Sequence, residues 1–194
     1  MRRIVVTLAL IVLAGPALAH TGTGAVGGFG AGFLHPILGW DHVLAMVAVG
    51  LWGALLGMPL IWILPVTFPL MMAVAGLLGG LGLALPAMER GIALSVLVLG
   101  AMVALRARPP LPVAILIVAV WAVFHGWAHG AELPEAADPF AYGIGFVLAT
   151  GLLHLLGIGL GLMVRWPQGE RVLRLGGAAI GIAGLWLLAG TSLA

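Results

Sequence analysis

Residues 111–132 read LPVAILIVAVWAVFHGWAHGAE. No Asp, Glu, Lys or Arg occurs between Leu111 and Ala131. A bilayer core about 30 Å thick needs about 20 such residues in a helix. The stretch therefore predicts a membrane-crossing helix from about Pro112 to His129. It also carries His125 and His129, four residues apart and hence on one helix face, with Glu132 continuing that face. An ionisable group at membrane depth is costly and is a functional candidate by default.

The rest of the chain agrees with that window. Of 194 residues, 63% are hydrophobic and only 7% charged, with 31 Gly. Mean hydropathy is +1.24. A soluble domain carries about a quarter charged residues, so the expected fold is an all-α membrane protein. Six spans are predicted: Phe33–Leu56, Leu60–Leu85, Gly91–Leu105, Pro112–His129, Phe140–Val164 and Val172–Leu193. The absence of Cys excludes thiolate metal sites, Fe–S clusters and Cys nucleophiles. All eight basic side chains are Arg. Without Lys there is no Walker A loop and no Schiff base. No basic run exists, so nucleic acid is not an expected partner.

Arg2 and Arg3, the apolar stretch Ile4–Ala14, the Gly15-Pro16 break and the Ala17-Leu18-Ala19 site together predict a secretory signal peptide over residues 1–19. Residues 20–32 then form a glycine-rich periplasmic N-terminus, and 33–194 a six-helix transmembrane domain. With the mature N-terminus outside, Arg106, Arg108, Arg165, Arg171 and Arg174 fall inside and only Arg90 outside. This satisfies the positive-inside rule for a bacterial inner membrane and places the C-terminus in the periplasm as well. Spans 1 and 4 open opposite-facing groups of three, which suggests two inverted three-helix halves. Gly53/Gly57, Gly76/Gly80, Gly126/Gly130, Gly157/Gly161 and Gly177/Gly181 are four apart, as close helix packing requires. Pro59, Pro65 and Pro69 predict a kinked or broken second span.

A second polar cluster lies in span 1. His35 and His42 are seven residues apart, so on one continuous helix they share a face. Pro36 suits a first helical turn and would place His35 at the helix mouth. Asp41 either ligates a metal or orients the neighbouring imidazole. Depth counting brings His42 and His125 to a similar level, so the two clusters are expected to converge. Imidazole and carboxylate without thiolate suit Ni²⁺, Co²⁺ or Zn²⁺. His20, at the expected mature N-terminus, is a further candidate ligand. His154, deeper in span 5, is either a helix–helix hydrogen-bonding group or a later station for the ion.

The pattern His35-Pro36-x-x-Gly39-x-Asp41-His42, with Phe124-His125-Gly126-x-Ala128-His129-Gly130-x-Glu132, resembles the HupE/UreJ family of nickel permeases. The resemblance covers the whole chain after residue 19. It implies His35, Asp41, His42, His125, His129 and Glu132 as the functional set. It also implies entry of Ni²⁺ or Co²⁺, as transported substrate rather than cofactor, for hydrogenase or urease maturation. The expected partners are the divalent ion, the bilayer and a cytoplasmic metallochaperone. Two other readings fit the residues less well. One is an intramembrane metal-dependent hydrolase, although H-E-x-x-H and G-x-S-x-G are absent. The other is a metallochaperone-docking membrane subunit.

Overall fold

The computed structural model describes residues 28–131 and 138–191. The signal-peptide region, His20 and Glu132 lie outside them. The described residues form seven α-helices: α1 (Gly28–Leu38), α2 (Trp40–Leu56), α3 (Leu60–Gly80), α4 (Met88–Ala104), α5 (Leu111–Ala131), α6 (Pro139–Gly161) and α7 (Gly169–Gly190). A 3₁₀ turn, Leu162–Arg165, follows α6. Four helices are long and apolar enough to cross a membrane: α3, α5, α7, and α6 with its 3₁₀ turn. The bent pair α1–α2 makes a fifth candidate. Leu70, Leu77, Leu116, Leu152 and Ile182 point outward from the bundle, as lipid-facing residues do.

The first expected span is not one helix. It stops at Leu38 and resumes at Trp40, with an angle of 77° between the parts. Gly39 joins them in extended backbone. The turn leaves few polar groups unpaired. Gly39 N–H donates to the His35 carbonyl at 3.2 Å, Val43 N–H to the Gly39 carbonyl at 2.9 Å, and His42 N–H to Asp41 Oδ1 at 2.8 Å. Pro36 consequently lies inside α1 and His35 in its last turn, not at a helix mouth. The second expected span is continuous instead: α3 runs unbroken through Pro65 and Pro69, with Pro59 at its N-cap.

Small residues set the helix pairing. A Cβ on Gly130 would overlap the Gly76 carbonyl, and one on Gly50 would overlap the His154 carbonyl. These positions hold α3 against α5 and α2 against α6. Gly100, Gly177 and Gly184 do the same for α4 and α7. Gly57 does not pack; it caps α2 with φ 77°, so Gly53/Gly57 is no packing pair. The α2–α6 and α3–α5 pairs exchange under the operation that swaps the two expected halves, and α4–α7 maps onto itself. The exchange is incomplete. Among the described residues α2 packs on α3 and α4, whereas α5 makes no comparable contact with α6 or α7.

Polar contacts tie each end of the bundle. At one end Arg106 pairs with Glu170 at 2.8 Å. Arg174 Nε donates to the Ala104 carbonyl at 3.1 Å, and Trp52 Nε1 to the Ala107 carbonyl at 2.9 Å. At the other end Trp127 Nε1 donates to the Leu83 carbonyl at 2.8 Å. There Asp138 caps α6, accepting from Phe140 N–H and Ala141 N–H at 2.9 and 3.3 Å.

Candidate metal centre

Three histidines from three helices meet near the Asp138 end. One ring nitrogen each of His35 (α1), His42 (α2) and His129 (α5) lies within 4.8 Å of the other two. His42 and His129 are buried and His35 is half-buried. The ring centroids are 5.4 Å apart for His35–His42, 4.6 Å for His35–His129 and 4.7 Å for His42–His129. Seven residues on an unbroken helix would separate His35 from His42 by about 10 Å along the axis. The bend at Gly39 removes that separation, so the two histidines meet because the helix is broken.

Asp41 fixes the electronic state of His42. Its Oδ1 accepts from His42 Nδ1–H at 2.6 Å. A neutral imidazole that donates through Nδ1 carries its lone pair on Nε2. That Nε2 faces His129 Nε2 at 2.9 Å. Two imidazole nitrogens so close either share a proton or flank a cation. Asp41 thus takes the orienting position behind a potential ligand, the usual second-layer carboxylate arrangement at metal sites. Gly39 makes this possible: a Cβ there would sit 2.8 Å from His42 Nδ1 and 2.9 Å from Asp41 Oδ1.

His125 and His129 turn to different partners. His129 joins His35 and His42, while His125 turns to Ser95 on α4. Ser95 Oγ donates its one proton to the Ile92 carbonyl at 2.6 Å, so it accepts from His125 Nε2–H at 2.7 Å. The remaining His125 lone pair, on Nδ1, is buried and makes no hydrogen bond. The His125 ring stands edge-on to His42 at 5.0 Å, directly behind the three-histidine group. Helices α2 and α5 do not pack along their lengths. Their neighbours are α1, α3, α4, α6, α7 and the 3₁₀ turn for α2, and α3 and α4 for α5. They meet through these side chains.

Phe146 and Tyr142 on α6 cover the group. Phe146 lies 4.3 Å from His129, and both rings lie 6.3 Å from His35. His154 is elsewhere. It is 1% exposed and stacks edge-on against Phe68 at 5.7 Å, while the same Phe68 ring lies 5.5 Å from His125. Ser95, Phe68 and Phe146 carry no functional signal of their own in the sequence, and Gly39 enters only as part of the motif around His42. A serine and two aromatics in apolar helices resemble any packing residue.

An all-helical membrane bundle with three converging imidazoles and a carboxylate behind one of them defines a membrane protein with a potential transition-metal site. The chain belongs to the HupE/UreJ family: the family model described as HupE / UreJ protein matches residues 8–187. It is 46% identical over 188 residues to Protein HupE of Rhizobium leguminosarum bv. viciae, covering 97% of this chain and 98% of that one. No solved structure matches.

Proposed function

We propose that this protein is a six-span permease of the bacterial inner membrane for a divalent transition-metal ion, Ni²⁺ foremost and Co²⁺ next, serving hydrogenase or urease maturation. The observation that carries the reading is the 2.9 Å approach of His42 Nε2 and His129 Nε2 beside His35, with Asp41 holding the far side of His42. Neutral imidazoles with an adjacent carboxylate suit borderline divalent ions. Family membership supports the metal class. In this reading α1–α2 is one bent span, and α4, of 17 residues, is the sixth crossing.

The orientation follows from charge. Arg106, Arg108, Arg165, Arg171 and Arg174 sit at the end opposite the histidine group, which suits the cytoplasmic side. The histidine group then faces the periplasm, and both mature termini lie there after cleavage at Ala19. Glu132, Glu135 and Asp138 in the α5–α6 connection would concentrate cations at the entrance by their field. An ion arriving there exchanges water for the imidazoles of His35, His42 and His129, with His125 behind. A cytoplasmic metallochaperone is the natural recipient on the other side. No ATP-binding motif occurs in the sequence, which suits movement that is passive or driven by a gradient.

The test is His42→Ala, read as Ni²⁺ and Co²⁺ accumulation per molecule of membrane-inserted protein. The expected result is loss of accumulation to background with normal insertion. Undiminished accumulation by the inserted variant overturns the permease site and reopens the hydrolase and docking-subunit readings.

A further inference from the structure

Deep in α6 lie two polar side chains that the three-histidine group does not use. His154 is 1% exposed and Thr150 0%. They are four residues apart on one helix face. Neither ring nitrogen of His154 nor the Thr150 hydroxyl makes a hydrogen bond. Each omission is unusual. A membrane-helix threonine normally donates to a carbonyl of its own preceding turn, and a buried imidazole without partners is costly in lipid. The carbonyl of Pro65 on α3 approaches the His154 ring without reaching hydrogen-bond geometry. That carbonyl has no helical donor, because the residue four further on is Pro69, which has no N–H. An imidazole and a hydroxyl on one buried face of α6, with a freed carbonyl beside the ring, therefore keep their hydrogen-bonding capacity unspent.

We propose that His154 and Thr150, with the Pro65 carbonyl, form a second cation site, distinct from the His35–His42–His129 group and weaker than it, taking a borderline divalent ion of the Ni²⁺ or Co²⁺ class. The proposal rests on the permease reading and gives the ion its next stop. One nitrogen and two neutral oxygens, with no carboxylate, bind a dication less firmly than three imidazoles backed by Asp41. Conduction needs that order: each site must hold the ion well enough to receive it and loosely enough to release it. The Phe68 ring contacts both His125 and His154, so it stands where the two sites adjoin. His154 is the sixteenth residue of α6 counted from Pro139. At about 1.5 Å per residue it therefore lies beyond the bilayer midplane from the histidine group.

The experiment uses the full-length protein in liposomes, with Ni²⁺ as the probe, and measures uptake rate, equilibrium binding and heat stability together. His154→Leu fills the same volume without polar atoms. The expected result is unchanged tight Ni²⁺ binding, heat stability equal to or above that of the wild type, and uptake reduced about tenfold or more, the scale on which groups at a metal site are felt. Thr150→Val should slow uptake about threefold, as for one ordinary polar contact. Wild-type uptake by both variants, with His42→Ala inactive, overturns the second site and leaves the permease reading standing. Wild-type uptake by His42→Ala as well overturns both. If His154→Leu does not insert, His154→Gln, which keeps a polar end at the ring position, is read in its place, and wild-type uptake by it again overturns the proposal.

Discussion

Two stretches of this chain carry helix breakers, and they end differently. Between Pro36 and Gly39 the helix stops and turns by 77°. Through Pro65 and Pro69 it continues for all 21 residues of α3. Proline removes one donor and frees one carbonyl, and a packed membrane helix accommodates that. The Gly39 junction differs because a local group takes over: Asp41 accepts both His42 N–H and His42 Nδ1–H. Asp41 also sits in the first turn of α2, where its charge favours the helix N-terminus. A breaker thus ends a helix when a nearby side chain can satisfy the groups the break releases. In this chain the side chain that does so also orients the imidazole that faces His129.

The largest effect that would test this contrast is expected at Gly39. Gly39→Val places a branched side chain against His42 Nδ1 and Asp41 Oδ1, which lie 2.8 and 2.9 Å from where its Cβ would be. His42 must then leave His129, and Ni²⁺ uptake per inserted molecule should fall to background. Normal uptake would show that the bend does not position His42. A smaller loss is expected from Asp41→Asn. It preserves shape but weakens the grip on Nδ1, and should lower Ni²⁺ affinity about 10–100-fold, as loss of a ligand-orienting carboxylate does. Titration of the purified protein with Ni²⁺ measures it. A loss as complete as that of His42→Ala would make Asp41 itself a ligand.

Much of this was legible beforehand, and the exceptions share a cause. The helical class followed from hydropathy, and the meeting of His42 with the α5 histidines from counting depth. The count assumed one straight first span. His35 nevertheless reached the site, because the break that spoiled the helix-face argument shortened its distance to His42. Spacing shows that His125 and His129 share a face, not what stands opposite each. Ser95 stands opposite His125, and His42 opposite His129. Whether Pro65 and Pro69 break the helix or only bend it depends on whether neighbouring helices support the chain, which no local pattern records.

The smallest effect concerns α3, and it separates a structural proline from a useful one. Pro69→Ala restores an N–H that can donate to the Pro65 carbonyl. One added hydrogen bond is worth about 1 kcal/mol net, so the detergent-solubilised protein should melt at a slightly higher temperature. Were Pro69 only tolerated, the stabilised variant would take up Ni²⁺ at the wild-type rate. If the freed carbonyl helps hold an ion beside His154 and Thr150, the new N–H competes for it. Uptake should then slow about threefold, the size of a single neutral hydrogen-bonding contact. Tight binding at His35, His42 and His129 should be unchanged. A protein that becomes more stable and slower in the same step indicates that the carbonyl contributes to the ion's path. One that becomes more stable at undiminished speed removes the Pro65 carbonyl from the inner site and leaves His154 and Thr150 to hold the ion by themselves.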